Sequence, residues 1–396
     1  MRILVIPSSD YLGHPYPMRH HHIFERLTRF GAEVFVLRFK LYEKIRRSTA
    51  CKVREIPHEI RVTKQSVYYV VNSLQHIHSI IRLVKREGID LIILCNILPA
   101  FGAYLIKRLS GLVKVVVDLK DHYPSSAAGY MVSNLKSVPG SLVISSIETL
   151  FSIVMRSSDA VICASEALCD FAKRYGAKNV YYIPNGIGEH FLNLYDKKSS
   201  RSRLNINEES FVTGYLGGLE FWLDMSAPLK GFKEYLERYN KNNTIFLIIG
   251  GKLQTSYSLF VDRLIENLGI KKNVIRMPFV DYQDVPKIMS AMDIGLIPFD
   301  VHNPTAYYAC PNKLWEYSSQ EVAVVSTPIP EVLKHRDYVT VIKGSPQDYF
   351  EVFHLFNKRR DLLVEKAKKA RERSKEFTWT KISEKYYELL RETIES

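Results

Sequence analysis

Lys313 and Glu316 stand three residues apart in the stretch Asn303–Pro328, NPTAYYACPNKLWEYSSQEVAVVSTP. On a helix that spacing places both side chains on one face. A lysine so placed brings a mobile positive charge to a phosphate, and a glutamate accepts two hydrogen bonds from the hydroxyls of a ribose. The stretch follows Asp293–Phe299, DIGLIPF, an apolar run of strand length suited to burial on both faces of a parallel sheet. Pro311 suits the start of a helix, because its ring fixes φ and its missing N–H would have no partner in the first turn. Lys313 then falls in that first turn, beyond the carboxyl end of a strand, where open α/β sheets bind ligands and free N–H groups meet phosphates. A surface Lys–Glu pair on an ordinary α/β helix accounts for the same two residues.

Two further stretches carry chemistry. Thr213–Asp224, TGYLGGLEFWLD, ends a strand in Gly217 and Gly218, whose missing Cβ lets backbone approach a diphosphate. Trp222 beside them either stacks on a base or sugar or packs into the core. Val116–Pro124, VVDLKDHYP, presents Asp118, Asp121 and His122 after a buried strand. A hydroxyl that forms a new bond must lose its proton, and a carboxylate or imidazole within reach assists. Asp121 is the first candidate for that base and His122 the second, with Asp118 structural at the strand end; capping and turn formation are the alternative. The run His20-His21-His22 does not read as a metal site, since consecutive helical residues point in different directions. Arg19, at the start of that helix, is placed to reach a ligand.

These residues need elements to hold them, and the chain supplies an alternating pattern. Strands are expected at Ile3–Pro7, Glu33–Leu37, Leu91–Cys95, Lys114–Asp118, Ala160–Ala164 and Asn179–Ile183, with amphipathic helices between them. Ser165 reads as an N-cap of a helix ending near Gly176, and Pro184-Asn185-Gly186 as a turn at a hinge. A polar, basic stretch, Asp196–Arg203, follows. The alternation then restarts at Phe211–Leu216, Ile245–Gly250, Val274–Pro278, Asp293–Pro298, Val322–Ser326 and Val339–Ile342. The fold class is α/β with two Rossmann-like domains: residues 1–190, residues 191–375, and a final helix, 376–396, returning to the first.

Length agrees, since 396 residues exceed what one core serves, and 46% hydrophobic with 24% charged is globular composition. Cys51, Cys95, Cys163, Cys169 and Cys310 form no CxxC and sit mostly in apolar runs, as expected of reduced thiols in a cytoplasmic protein. MRILVIPSS turns polar too soon for a signal peptide, and the long apolar segment Ile89–Ile106 is broken by Asn96 and Pro99, against a membrane span. Neither GxGxxG nor GxxxxGK followed by Ser or Thr occurs, so dinucleotide redox and P-loop readings lose support.

Net charge is +13, and residues 1–190 hold 25 Lys and Arg against 15 Asp and Glu, so the excess is concentrated there. It is densest at Arg38–Lys64, where Arg38, Lys40, Lys44, Arg46, Arg47, Lys52, Arg54, Arg61 and Lys64 meet Glu43, Glu55 and Glu59. Such a patch suits an anionic membrane surface or a polyanionic acceptor, at about 1 kcal/mol per charge near lipid; a solvated face is the alternative. No aromatic-basic module of a nucleic-acid binder is present, so nucleic acid is not an expected partner. Ser141–Met155, SLVISSIETLFSIVM, either packs on a sheet or lies at a membrane interface.

The segment around Glu316 resembles the second glutamate of the E-x7-E signature in retaining GT-B glycosyltransferases of family 4, in the variant PxKLxEYxxxxxPVVST. "ASEALxxxxxxxGAxxVxYIPNGI" before the hinge and "FTWxKISEKYYELL" from Phe377 to Leu390 extend the resemblance over nearly the whole chain. It implies the GT-B fold, two such domains facing across a cleft, and transfer of a sugar from a nucleoside-diphosphate sugar to a glycan or lipid-linked acceptor, as in polysaccharide biosynthesis. It also implies that Glu316 holds the ribose. The donor-binding set it implies is Gly13 in the loop after the first strand, Gly217, Gly218, Lys230, Tyr308, Asn312, Lys313 and Glu316. Lys230, in a Lys-Gly pair resembling the family's, would neutralise the diphosphate as leaving group together with Lys313, with no metal or other cofactor needed. Asp118, Asp121 and Pro124 resemble the DxxDxxP spacing of a family-4 subgroup. Three departures stand out: Tyr308 replaces the first signature glutamate, Glu321 and Ala323 replace the usual glycine and proline, and the arginine after the strand glycine is missing. A sugar-nucleotide 2-epimerase of the same fold, or a degenerate protein that binds nucleotide or glycan without catalysis, therefore stays open. Location is expected to be cytoplasmic, with peripheral contact at the inner membrane face.

Overall fold

The computed structural model of the protein describes residues 1–14, 16–42, 44–62, 65–97, 100–111, 113–125, 138–239, 243–250 and 255–395. Glu43, Lys64 and Pro99, named above, lie outside them. The chain divides into two compact units, Met1–Asn185 with Trp379–Ser396, and Gly186–Thr378. The changeover falls within the Pro184-Asn185-Gly186 turn rather than at residue 190.

The first unit is built on seven parallel strands: β1 (Arg2–Ile6), β2 (Glu33–Arg38), β3 (Lys52–Glu55), β4 (Leu91–Leu94), β5 (Lys114–Leu119), β6 (Ala160–Cys163) and β7 (Val180–Tyr182). Their order is β3-β2-β1-β4-β5-β6-β7. The inner strands are runs of Ile, Val and Leu because helices cover both faces and leave no solvent side for polar residues. The final helix, Trp379–Glu395, packs in this unit: Trp379 lies stacked on His22 at 4.8 Å, and Tyr386 meets Phe24 edge-on. Helix Val138–Ser157 buries Ile147, Phe151, Val154 and Met155 and leaves Leu142 and Ile153 exposed, so the apolar run packs along one face only. All five cysteines are free and buried.

β3 was not expected. Its sequence, KVRE, has no apolar run, yet it pairs in register with β2 at the sheet edge, Phe35 opposite Lys52 and Leu37 opposite Arg54. Its charges are neutralised across the edge, Lys52 by Glu33 and Arg54 by Glu87, and both cations lie over the Phe35 ring. Lys40 pairs with Glu55 at 2.7 Å, and Arg38 is buried against Asp10. Much of the Arg38–Lys64 patch is thus spent inside the unit rather than offered to a partner.

The second unit has six parallel strands: β8 (Phe211–Leu216), β9 (Thr244–Ile249), β10 (Val274–Met277), β11 (Ile294–Ile297), β12 (Ala323–Ser326) and β13 (Thr340–Val341). Their order, β10-β9-β8-β11-β12-β13, reverses between β8 and β11. Such a reversal opens a crevice outside the strands' carboxyl ends. The polar stretch after Asp196 is not an extended linker. It forms helix Lys197–Arg203, capped by Asp196, and Arg201 turns inward to pair with Asp293 at 2.8 Å.

Gly295 in β11 is a packing position. A Cβ there would meet the Tyr317 ring at 2.4–2.6 Å, and Tyr317 is fully buried. Gly295→Ala is expected to lower the stability of the second unit by about 2–3 kcal/mol, the usual cost of overpacking a closed core. Equilibrium unfolding in urea checks this; an unchanged midpoint would mean that the ring relaxes freely.

Candidate functional site

Helix Lys313–Ser319 carries the pair that opened the sequence reading, and its buried side chains fix its position. Tyr317 crosses β11 over Gly295, and its hydroxyl accepts from the Leu216 amide at the end of β8 (2.7 Å). Trp315 stacks on Phe377 at 3.8 Å with the rings 11° apart. Gln320, just past the helix, donates to the carbonyls of Phe191 and Asn193. Glu321 follows at φ 52°, a left-handed conformation that favours glycine, and it faces Arg371 at 3.8 Å.

The clamp delivers Lys313 to the switch point. Its ammonium lies 5.2 Å from the Tyr215 ring centroid and 5.3 Å from that of Phe299, residues at the carboxyl ends of β8 and β11. Gly217, at φ 127°, touches it: a Cβ there would sit 3.5 Å from Lys313 Nζ. A Cβ at Gly218 would meet only the Glu220 side chain, at 3.7 Å and beyond, so that side of the turn is open. Glu316, 8% exposed, shares the site. Burial pushes its carboxyl up to about 7, opposed by Lys313, and burial lowers Lys313 to about 8, opposed by Glu316. Among the described residues the two form no ion pair within 4.0 Å, and Glu316 accepts no side-chain hydrogen bond. Two charges are held near each other, each destabilised by burial and incompletely compensated.

The other donor-side candidates separate. Asn312 is the N-cap of the helix; its carbonyl accepts from Trp315 and Glu316, with no side-chain capping bond. Tyr308 closes the short helix Pro304–Tyr307 with its ring edge-on to Tyr307 at 5.1 Å. Lys230 is exposed, one turn into helix Ser226–Tyr239. Its neighbour Gly231 serves packing, since a Cβ would lie 2.5 Å from the Pro346 carbonyl. Asp224 caps this helix by accepting from the Ser226 and Ala227 amides. Trp222 is half-buried against the core and edge-on to Phe221, so its packing role is filled.

In the first unit, the loop after β1 is organised by Asp10, which is fully buried. It accepts from Arg38 (2.8 and 3.3 Å) and from the amides of Leu12, Gly13, Leu41 and Tyr42. Burial alone would raise its carboxyl; the Arg38 bond and these amides outweigh it and hold the group below its usual value. Gly13 is therefore a packing glycine whose amide is already used, with Asp10 2.6 Å and Tyr42 2.7 Å from where a Cβ would stand. Arg19 does not project toward a ligand: it is buried on Asp118 (3.0 Å) and donates to the Pro184 carbonyl. Asp118 is structural, as expected. Asp121 is exposed beside Lys120, at 3.7 Å. His122 is buried, lowered to about 4 by burial, and its Nδ1 accepts from the Ser125 amide, so the lone pair a base would use is engaged. His20, His21 and His22 diverge: to Ser8 and Ser9, to the Tyr11 carbonyl and onto Trp379. Among the described residues no three His, Cys, Asp or Glu side chains gather as a metal site.

Reading the sequence missed Tyr215, Phe299 and Tyr317. The signal was an aromatic at the end of each switch-point strand and one inside the Lys313–Glu316 helix, patterns identical to core packing.

Comparison with known proteins follows the same division. Residues 20–190 match the family model described as Glycosyltransferase Family 4, and residues 211–354 the one described as Glycosyl transferases group 1. A Bacillus subtilis (strain 168) protein provisionally named as the teichuronic acid biosynthesis glycosyltransferase TuaH is 27% identical over 236 residues, 59% of this chain; the match spans about half of that relative, 55%. Among solved structures, sucrose-phosphate synthase from Thermosynechococcus elongatus superposes with a TM-score of 0.77 at 14% identity, over 99% of this chain and 98% of that one. Anabaena HepE in complex with UDP-glucose gives 0.74 at 16% identity, over 99% and 100%. Both show the shared fold.

Glu316 yields a pH test. A carboxyl raised from 4.5 to about 7 keeps, in the folded state, a proton the unfolded chain has lost, so its contribution to stability falls as pH rises from about 4.5 to 7 and stays low above. Glu316→Gln should match the parent near pH 5 and exceed it near pH 8, by on the order of 1–3 kcal/mol. Melting temperatures at the two pH values check this; a variant less stable at pH 8 would show Glu316 to be well compensated.

Proposed function

This chain belongs to the family-4, group 1 glycosyltransferases of GT-B fold, and from that premise we propose that it transfers a sugar from a nucleoside-diphosphate sugar to a glycan or lipid-linked acceptor, with retention at the anomeric carbon. The observation that carries the reading is the Lys313–Glu316 pair, Glu316 buried and Lys313 half-buried at the β8/β11 switch point against Gly217, with neither charge fully compensated. A diphosphate beside Lys313 and ribose hydroxyls donating to Glu316 would supply both missing partners at once. Gly217 and Gly218 leave room for the phosphates to approach, and Lys230 adds charge from the adjacent helix. UDP is the first donor base to test, since a neighbour of the same fold binds UDP-glucose.

In the reaction so assigned, the bond from the anomeric carbon to the diphosphate oxygen breaks and its electron pair leaves with the nucleoside diphosphate. The acceptor oxygen bonds to that carbon on the same face, and its proton passes to the departing phosphate oxygen, with Asp121 the candidate base to be tested against it. Lys313 and Lys230 stabilise the leaving group's charge, so the protein's contribution is electrostatic rather than covalent and calls on no metal or other cofactor. Tyr308, where relatives carry a glutamate, faces the sugar in this reading.

A thermal-shift screen against UDP, GDP, dTDP, ADP and CMP tests the pocket, because a ligand that binds only the folded state raises its melting temperature. One diphosphate is expected to stabilise the protein selectively. Glu316→Gln should weaken it by about 10- to 100-fold, equivalent to roughly 1.4–3 kcal/mol for lost charged hydrogen bonds. No shift with any nucleotide would turn the assignment toward a degenerate, glycan-binding protein. Asp121→Asn should lower transfer while leaving that shift intact; an unaffected transfer rate would leave the proton to the departing phosphate.

A further inference from the structure

A carboxylate stands on the turn after β8, beside the two glycines. Glu220 is half-buried, and its Cγ and Oε1 lie 3.7 and 3.8 Å from where a Cβ of Gly218 would stand. The chain around it is pinned. Leu219 and Leu223 are buried on either side, and the Leu223 amide donates to the Glu220 carbonyl at 3.1 Å, closing the turn. The Tyr215 hydroxyl donates to the Gly218 carbonyl at 2.8 Å. Tyr257, on helix Ser256–Asn267, donates its hydroxyl to the Leu223 carbonyl and accepts from the Met225 amide. Leu223 bridges antiparallel to Phe299, with the Asp300 amide donating to the Trp222 carbonyl (3.0 Å) and the Asp224 amide to the Pro298 carbonyl (2.9 Å). The segments after β8 and β11 are thereby laced together at the switch point, and Glu220 is presented from a held turn, as a scaffold presents a binding residue.

The order of the groups is informative. Glu316 and Lys313 stand one turn apart on their helix, Lys313 Nζ lies 3.5 Å from a Cβ built on Gly217, and Gly218 with the Glu220 side chain follows. The series is an acceptor for hydroxyls, a cation beside a glycine turn, and a second acceptor for hydroxyls. A nucleoside-diphosphate sugar runs in the same order: ribose, diphosphate, sugar. Tyr308, at the position of the missing signature glutamate, brings a hydroxyl and no charge. Building on the proposed function, we propose that Glu220 supplies the carboxylate which that position lacks, accepting hydrogen bonds from hydroxyls of the transferred sugar. Hydroxyl donors on a carboxylate make strong, charge-assisted bonds. A diphosphate that carries no sugar leaves the same carboxylate facing phosphates of like sign, which is unfavourable. Glu220 is thus a specificity residue: it favours the sugar conjugate over the bare diphosphate that the reaction releases.

Calorimetric titration of the full chain with UDP, GDP, dTDP and ADP, each alone and as its glucose conjugate, tests the assignment. For the base that binds, Glu220→Gln should weaken the conjugate by about 10-fold, the size expected for a lost charged hydrogen bond. The same variant should hold the bare diphosphate at least as tightly as the parent, because a like charge has been removed. A turn merely disturbed by the substitution would weaken both ligands. Glu220→Asp keeps the charge on a shorter arm and should retain part of the preference for the conjugate. Because backbone bonds and Tyr257 hold the turn, both ligand-free variants should melt with the parent. Equal weakening of both ligands in Glu220→Gln, or an unchanged preference for the conjugate, would overturn the role of Glu220. A parent that binds none of the diphosphates fails at Lys313 and Glu316 instead, and overturns the donor site together with this proposal.

Discussion

The second unit depends on one close contact, the Tyr317 ring lying across Gly295. No other residue type leaves space there, and the hydroxyl at the far end of the ring meets the amide of Leu216. One side chain therefore ties β8, β11 and helix Lys313–Ser319 together at the point where the strand order reverses. The stacking of Trp315 on Phe377 holds the same helix from its other side. Because the helix is fixed by its apolar residues, its two charged ones are left where burial disfavours both. Two ring faces offer Lys313 only a modest cation–π return, about 0.5–2 kcal/mol each. The site is thereby less stable than its surroundings, and a ligand that brings a diphosphate and a pair of hydroxyls recovers what the fold forgoes.

The first unit treats charge in the opposite way. Its own switch point, between β1 and β4, is occupied by Asp10, which Arg38 and four backbone amides satisfy, while Arg19 and Asp118 neutralise each other nearby. The Asp10 network is complete, and a completed network holds a loop in place rather than recruits a ligand. Gly13 belongs to that network, which explains its lack of a side chain without reference to a phosphate.

Much of the architecture was legible because buried parallel strands spell themselves out: DIGLIPF and KVVVDL admit few other readings. β3 was not legible, since KVRE is stabilised by Glu33 and Glu87 on other elements, and a basic run gives no sign of where its counter-charges lie. For the same reason helix Lys197–Arg203 read only as a polar, basic stretch, its inward Arg201 depending on Asp293 far along the chain. In the site, the spacing of Lys313 and Glu316 carried the essential information, being a local property of one helix. Tyr215, Phe299 and Tyr317 were hidden because an aromatic under a pocket and an aromatic in a core share one sequence pattern. Gly13 and Arg19 were assigned to ligands by their positions in and after the loop that follows β1, but the Asp10 and Asp118 carboxylates claimed them first.

In the proposed function, Lys313 and Glu316 are incompletely compensated charges whose missing partner is a nucleoside diphosphate. Titration calorimetry of UDP binding in buffers of different ionisation enthalpy measures it directly, through the protons exchanged. Hydroxyl donors on Glu316 favour its charged form, so binding near pH 6 should release protons; phosphate beside Lys313 favours its charged form, so binding near pH 8.5 should take them up. Glu316→Gln should abolish the release and keep the uptake. Binding that exchanges no protons at either pH would place the nucleotide elsewhere and remove Lys313 and Glu316 from its site.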